Sequence, residues 1–176
     1  MNVQTITLGG GCFWCVEAVY ELIDGVSAVE SGYCNGTVPN PSYEQVCGGD
    51  TGHAEVVRVS FDADRISLRE MLEIFFHVHD ATTLNRQGND IGSQYRSGIY
   101  FEDASQEAVA REVLAQANAA QGGRVVTELR PLHNYTRAEA YHQHYFANHP
   151  GQGYCSAVVA PKVQKFKRTF KERLRA

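Results

Sequence analysis

The sequence predicts an α+β fold in a single domain, and three observations carry that expectation. Strand and helix patterns follow one another irregularly along the chain, unlike the regular alternation of a doubly wound parallel sheet. Several predicted strands alternate polar and apolar residues, which places helices over one sheet face. The chain has 176 residues, 43% of them hydrophobic, so it is of one-domain size with material for one sizeable core. No internal repeat and no linker divides it, so the expected domain runs over residues 1–176.

Residues 3–8 (VQTITL) alternate and are β-branched, the pattern of a strand. Gly9, Gly10 and Gly11 form the turn that follows and let other groups approach the backbone. Val16, Val19, Tyr20 and Ile23 then recur at helical spacing. Residues 26–31 read as a second strand that ends in the turn residues 32–36. Residues 37–52 (TVPNPSYEQVCGGDTG) are polar and rich in glycine, asparagine and proline, so a long functional loop is expected. Its Tyr43 and Cys47 argue against simple disorder. Residues 54–61 (AEVVRVSF) are a strand. Ser67-Leu68-Arg69-Glu70 is a capping box opening a helix with an apolar face of Leu68, Met71, Leu72, Phe75 and Phe76.

Residues 80–97 read as a second long polar loop, and 98–101 as a strand. Residues 103–121 form an alanine-rich helix stopped by Gly122-Gly123. Residues 125–129 are a further strand. Thr136-Arg137-Ala138-Glu139 has the form of a second capping box, which predicts a helix to about Asn148. Residues 150–155 (PGQGYC) read as a flexible glycine-rich segment, and 161–174 as a basic terminal helix.

Composition narrows the function. The net charge is −4, so the chain as a whole is not built for nucleic acid. Residues 161–176 carry seven Lys/Arg and one Glu, so they hold +6, and the difference leaves −10 on the rest. A basic helix of this kind reads as a solvated element pairing with an acidic body. No apolar run is long enough to span a membrane. The N-terminal residues lack a basic n-region and an apolar h-region, so the expected location is the reducing cytoplasm. There, five cysteines read as reactive, metal-binding or buried groups before a disulfide framework. Cys12 and Cys15 form a C-x-x-C pair, but no second pair at zinc spacing exists. His77 and His79, like His142 and His144, are two apart on predicted helices and so do not share a face.

The chemistry gathers around Gly9-Gly10-Gly11-Cys12-Phe13-Trp14-Cys15. Cys12 stands at a helix N-terminus, where unpaired N–H groups and the positive dipole end favour a thiolate. A thiolate needs an electrophile: a disulfide, a peroxide, an acyl carbon or an activated sulfur. Glu55, flanked by Val56 and Val57, has the setting of a buried carboxyl kept protonated near neutrality, hence a proton donor. Tyr43 and Tyr95 on glycine-rich loops are candidate donors to a substrate oxygen, although tyrosines more often pack. Asp90 in Gly88-Asn89-Asp90 is by default a turn former. A cysteine hydrolase is the competing reading, but it needs an imidazole on the thiol. A non-catalytic thiol or anion-binding module is a third.

The stretch GCFWC resembles the signature of the A-type peptide methionine sulfoxide reductases. Further blocks resemble that family in the same order: residues 39–43 (PNPSY), 46–55 (VCGGDTGHAE), 86–90 (RQGND), 92–97 (GSQYRS), 148–150 (NHP) and 153–155 (GYC). The resemblance implies a two-layer α/β sandwich with a ferredoxin-like core, and an enzyme reducing methionine S-sulfoxide, free or in proteins. It implies Cys12 as nucleophile, Phe13 and Trp14 as walls for the S-methyl group, and Glu55 as acid. Tyr43 and Tyr95 would bond the sulfoxide oxygen, and Asp90 would fix the polar side. Cys155 would be the resolving cysteine on a mobile tail, with Cys15, where many relatives have glycine, as the alternative. A C-x-x-C of this kind pairs well when Cys12 is the loop residue preceding the helix. Cys34 has no assigned role. The implied cycle passes through a Cys12 sulfenic acid and an intramolecular disulfide reduced by thioredoxin. It needs no metal and no organic cofactor, and the expected form is a monomer.

Overall fold

A computed structural model describes residues 1–176. Its centre is a six-stranded mixed sheet built from β1 (Val3–Gly9), β2 (Val26–Cys34), β3 (Ala54–Asp62), β6 (Gly98–Phe101), β7 (Glu128–Pro131) and β8 (Thr136–Arg137), in the order β7-β6-β1-β3-β2-β8. All neighbours are antiparallel except β6 and β7. β1 and β3 pair in a register that sets Ile6 opposite Val59 and Leu8 opposite Val57. All four side chains are buried, as period-two alternation requires when one face meets a core. A separate hairpin joins β4 (Arg86–Gln87) to β5 (Asp90–Ile91).

Helices α1 (Phe13–Tyr20), α3 (Leu68–Val78) and α4 (Ala104–Ala120) supply Val16, Val19, Tyr20, Leu68, Met71, Leu72, Phe75, Ala110 and Val113 to one core with β1, β2, β3 and β6. Ser67 and Asp103 cap α3 and α4 by accepting from the N–H groups of Glu70 and Gln106. Each large apolar side chain taken wholly from water contributes about 1.5–3 kcal/mol.

The strand expected over 125–129 is found at Glu128–Pro131, and the loop expected over 80–97 holds the β4–β5 hairpin. Three further segments differ from the sequence reading. The loop at 37–52 contains a short helix, α2 (Tyr43–Cys47), opened by a full capping box between Ser42 and Gln45. The helix expected from Thr136 does not form. Thr136 and Arg137 instead pair with Tyr33 and Gly32 as β8, followed by a 3₁₀ turn at Ala140–His142 and the short helix α5 (Tyr145–Asn148). Tertiary hydrogen bonds decide this. Glu139 accepts from the Tyr33 hydroxyl at 2.9 Å and from Tyr43 N–H at 2.8 Å. Gln143 holds both backbone groups of Ser31, each at 2.9 Å.

The third correction concerns the glycine-rich segment. Only residues 150–152 are turn or bend; helix begins at Gly153, passes through a π-helical turn at Cys155–Val159 and continues as α6 (Ala160–Thr169). Pro161 cannot donate to the carbonyl four residues back, and the widened turn falls just before it. Cys155 is therefore 0% exposed on a helix, packed in one cluster with Cys15, Ala18, Val159 and Val163.

Candidate active site

β1 runs into α1 through the three glycines. Gly11 has φ +94°, and a Cβ there would lie 2.7 Å from the side chain of Gln87, so the tight turn admits only glycine. Cys12 is the N-cap of α1 and Cys15 its third residue, with Cys15 N–H donating to Cys12 C=O at 3.1 Å. Cys12 is thus the residue preceding the helix, and its thiol lies beside that of Cys15.

The helix start does not ionise Cys12 as the sequence suggested. The first helical N–H, of Phe13, is taken by Glu55, whose Oε1 accepts it at 3.2 Å. Trp14 N–H does reach Cys12 and favours the thiolate, but burial outweighs it, and the neighbouring Cys15 thiol and the nearby Glu55 add to burial. The Cys12 thiol is pushed well above its ordinary value. The neighbouring Cys12 thiol holds Cys15 down to about 7, helped by the charge of Lys162 and the Tyr154 hydroxyl. The two thiols thus titrate as a pair, which gives up one proton far more readily than two.

Glu55 is 1% exposed at the head of β3, opposite Tyr33 of β2. Burial pushes its carboxyl up to about 8, with Asp90 and Cys15 adding repulsion and Phe13 N–H pulling the other way. Tyr43 starts α2; burial raises its phenol, with the neighbouring Cys47 adding to the rise. Tyr95 lies in the 3₁₀ turn Ser93–Tyr95, half-buried, with its phenol raised by burial and by the charges of Glu55, Asp90 and Cys12. Asp90 accepts a hydrogen bond from the Tyr154 hydroxyl at 2.5 Å, and that hydroxyl is 4.0 Å from Cys15 Sγ. Cys12, Cys15, Glu55, Tyr43, Tyr95 and Asp90 therefore share one neighbourhood, while Cys155 sits with Cys15 in the buried cluster beneath it.

Aromatic rings wall one side. Trp14 stacks on Tyr145 at 3.9 Å and 7°, meets Tyr154 edge-on at 5.8 Å, and donates its indole N–H to His142 Nδ1 at 3.0 Å. Phe13 lies 5.0 Å from the His142 ring and 5.6 Å from Tyr33. The sequence reading gives His142, Glu139, Tyr145 and Tyr154 no role in the site. The only signal was the density of aromatic and polar residues in 139–145 (EAYHQHY), which has no helical period.

Glu17, Glu21 and His144 also converge, each with a donor atom within 4.8 Å of the others. His144 Nδ1 and Glu21 share a hydrogen bond, and the Glu17 oxygens accept from the Ser31 hydroxyl and Tyr145 N–H. Cys34 is buried against Ala54, Val56 and Tyr100, away from these groups.

A thiol pair, a carboxyl held protonated and two phenols around one point equip the chain for thiol chemistry on a group whose oxygen must be protonated as it leaves. That is the class of thiol-dependent reductases. Residues 4–174 match the family model described as peptide methionine sulfoxide reductase, and the chain belongs to that family. It is 50% identical over 173 residues to the peptide methionine sulfoxide reductase MsrA of Saccharolobus solfataricus, covering 98% of each. Reduced Mxr1 from Saccharomyces cerevisiae superimposes with a TM-score of 0.83 at 38% identity, covering 88% of this chain and 90% of that one. Mxr1 in complex with Trx2 aligns with a TM-score of 0.60 at 27% identity, over 82% and 85%. The activity of this protein is accordingly thiol-dependent reduction of methionine sulfoxide to methionine.

Proposed function

We propose that Cys12 attacks the sulfoxide sulfur while Glu55 protonates the departing oxygen. The observation that carries this reading is the fully buried Glu55, bonded to Phe13 N–H one residue from the Cys12 sulfur. Cys15, ionised near neutrality, is the base that takes the Cys12 proton as that sulfur attacks. The Cys12 thiolate bonds to the substrate sulfur, and the protonated oxygen then passes from that sulfur to the Cys12 sulfur as the substrate sulfur–oxygen bond and the new sulfur–sulfur bond break. Sulfoxide sulfur is reduced by two electrons, Cys12 is oxidised to the sulfenic acid, and the oxygen keeps the Glu55 proton. Tyr43 and Tyr95, their phenols held protonated, hydrogen-bond that oxygen. Asp90 fixes the polar side, and Phe13 and Trp14 enclose the S-methyl group.

Resolution follows. The Cys15 thiol condenses with the sulfenic acid, giving a Cys12–Cys15 disulfide and water, because the two thiols are already neighbours while Cys155 is fully buried in a π-helical turn. Cys155 then exchanges onto Cys15 and frees Cys12. Thioredoxin as the external dithiol is supported by the Trx2 complex of Mxr1. The reading extends to the S epimer, to a monomer of one domain over residues 1–176, to a cytoplasmic location and to a cycle without metal or organic cofactor. No helix is long and apolar enough to cross a membrane. The antiparallel β6-β1-β3-β2 order, with α1 and α3 as its crossovers, supports the ferredoxin-like core.

The test is dithiothreitol-driven reduction of the separated sulfoxide epimers by the wild type and by Cys12→Ser. Turnover of the S epimer that vanishes with Cys12 supports the proposal; equal turnover by both proteins overturns it. Quantitative mass spectrometry after a single turnover tests the thiol order. Cys155→Ser is expected to accumulate Cys12–Cys15, and a Cys12–Cys155 bond formed at full rate in Cys15→Ser contradicts it.

A further inference from the structure

Trp14 is the only tryptophan of the chain. Its stack on Tyr145 fixes the tilt of the indole but leaves it free to slide and turn in its own plane. One hydrogen bond removes that freedom: Nε1–H donates to His142 Nδ1 at 3.0 Å. His142 is itself 0% exposed and tightly enclosed. Its ring centroid lies 4.4 Å from that of Tyr43, 4.1 Å from Tyr141 and 5.0 Å from Phe13. It therefore touches both groups assigned to the methyl wall and one phenol assigned to the sulfoxide oxygen.

We infer that His142 is a positioning residue for the sulfoxide site, setting the orientation of Trp14 against Phe13 and so the affinity for the S-methyl group. The inference rests on the reading of Phe13 and Trp14 as that wall. An acceptor at Nδ1 requires the neutral ring with its proton on Nε2, and Nε2 is buried with no protein partner. A buried N–H without an acceptor is costly. A ring kept in place at that cost, in the tautomer the indole needs, has its purpose at Nδ1. The neighbouring side chains of the same segment act likewise, with Glu139 on Tyr43 N–H and Gln143 on Ser31.

The test compares His142→Asn, whose amide oxygen can take the place of Nδ1, with His142→Gln and His142→Leu, which offer no acceptor there. Each is measured for kcat and KM with dithiothreitol in excess, and for acrylamide quenching of Trp14. With Gln or Leu, KM should rise about tenfold while kcat changes less than about twofold, the pattern of lost substrate binding. Trp14 should also become more quenchable. Asn should restore both towards wild type. Wild-type KM and quenching in the Gln variant overturn the inference, as does an Asn variant no better than Gln, which would make the ring's packing the whole effect. A wild type that turns over no sulfoxide would instead sink the Cys12 mechanism, and the quenching comparison would still read the Trp14–His142 bond.

Discussion

Glu55→Gln separates the protonated-carboxyl account from every alternative, because the substitution keeps the shape and removes the ionisation. Burial raises the carboxyl from its ordinary 4.5 to about 8. A group whose folded value is raised contributes stability that is fully present below the unfolded value and is lost as pH rises through the folded one. At about 1.36 kcal/mol for each tenfold change in proton affinity, the loss from pH 4.5 to above pH 8 amounts to about 5 kcal/mol. Between about pH 5 and pH 7 alone it amounts to about 3 kcal/mol, or roughly 5–10 °C in Tm for a chain of this length. The glutamine variant carries no such term. Its thermal melting curve in dithiothreitol should fall below or match wild type near pH 5 and gain on it steadily to pH 8. The rate should move the opposite way. Loss of the acid should slow sulfoxide reduction by about 10²–10⁴-fold, and the wild-type rate should decline as pH passes about 8 and Glu55 loses its proton. Parallel stability curves for the two proteins across this range would refute the burial argument, and an unchanged rate would remove Glu55 from the mechanism.

Gly11→Ala should lower stability by about 1–3 kcal/mol, the cost of holding a non-glycine residue at φ +94° against Gln87, and should reduce activity by displacing Cys12; chemical denaturation and the sulfoxide assay read both. Gln143→Ala should cost about 1–3 kcal/mol by leaving Ser31 N–H unpaired inside the protein, while Ser31 C=O keeps the Ala138 N–H. A denaturation midpoint equal to wild type would show that water replaces the amide. Thiolate absorbance of the native protein should show a titration near 7 from Cys15 that disappears in Cys12→Ser. A Cys15 titration unaltered by that change would show that the neighbouring Cys12 thiol is not its cause.

The elements nearest the reacting sulfur were legible because their signals are local. Alternation in β1, three glycines and an apolar 3.6-residue period place Cys12 at a strand-to-helix turn whatever the rest of the chain does. Ser67 and Asp103 likewise announce α3 and α4 from adjacent residues. Elements held by distant partners were not legible. The Thr136-to-Glu139 pattern suits a helix cap, yet pairing with β2 and the inward turn of Glu139 prevail. Cys155 follows two exposed glycines, so nothing nearby shows that its sulfur is packed behind Cys15. The protonation of Cys12 escaped for the same reason. The helix-end N–H that sequence logic offers to the thiolate is claimed by Glu55, from 42 residues further along the chain. Ser42-Tyr43-Glu44-Gln45 is the exception. Its capping box is wholly local, and the surrounding glycine and proline masked it.

The most direct measurement uses a Cys15→Ser/Cys155→Ser double variant, given methionine sulfoxide and a sulfenic-acid trap such as dimedone without any reductant. The account predicts one equivalent of methionine and one adduct, on Cys12. Methionine formed with the adduct elsewhere, or formed equally well when Cys12 is also serine, would contradict it.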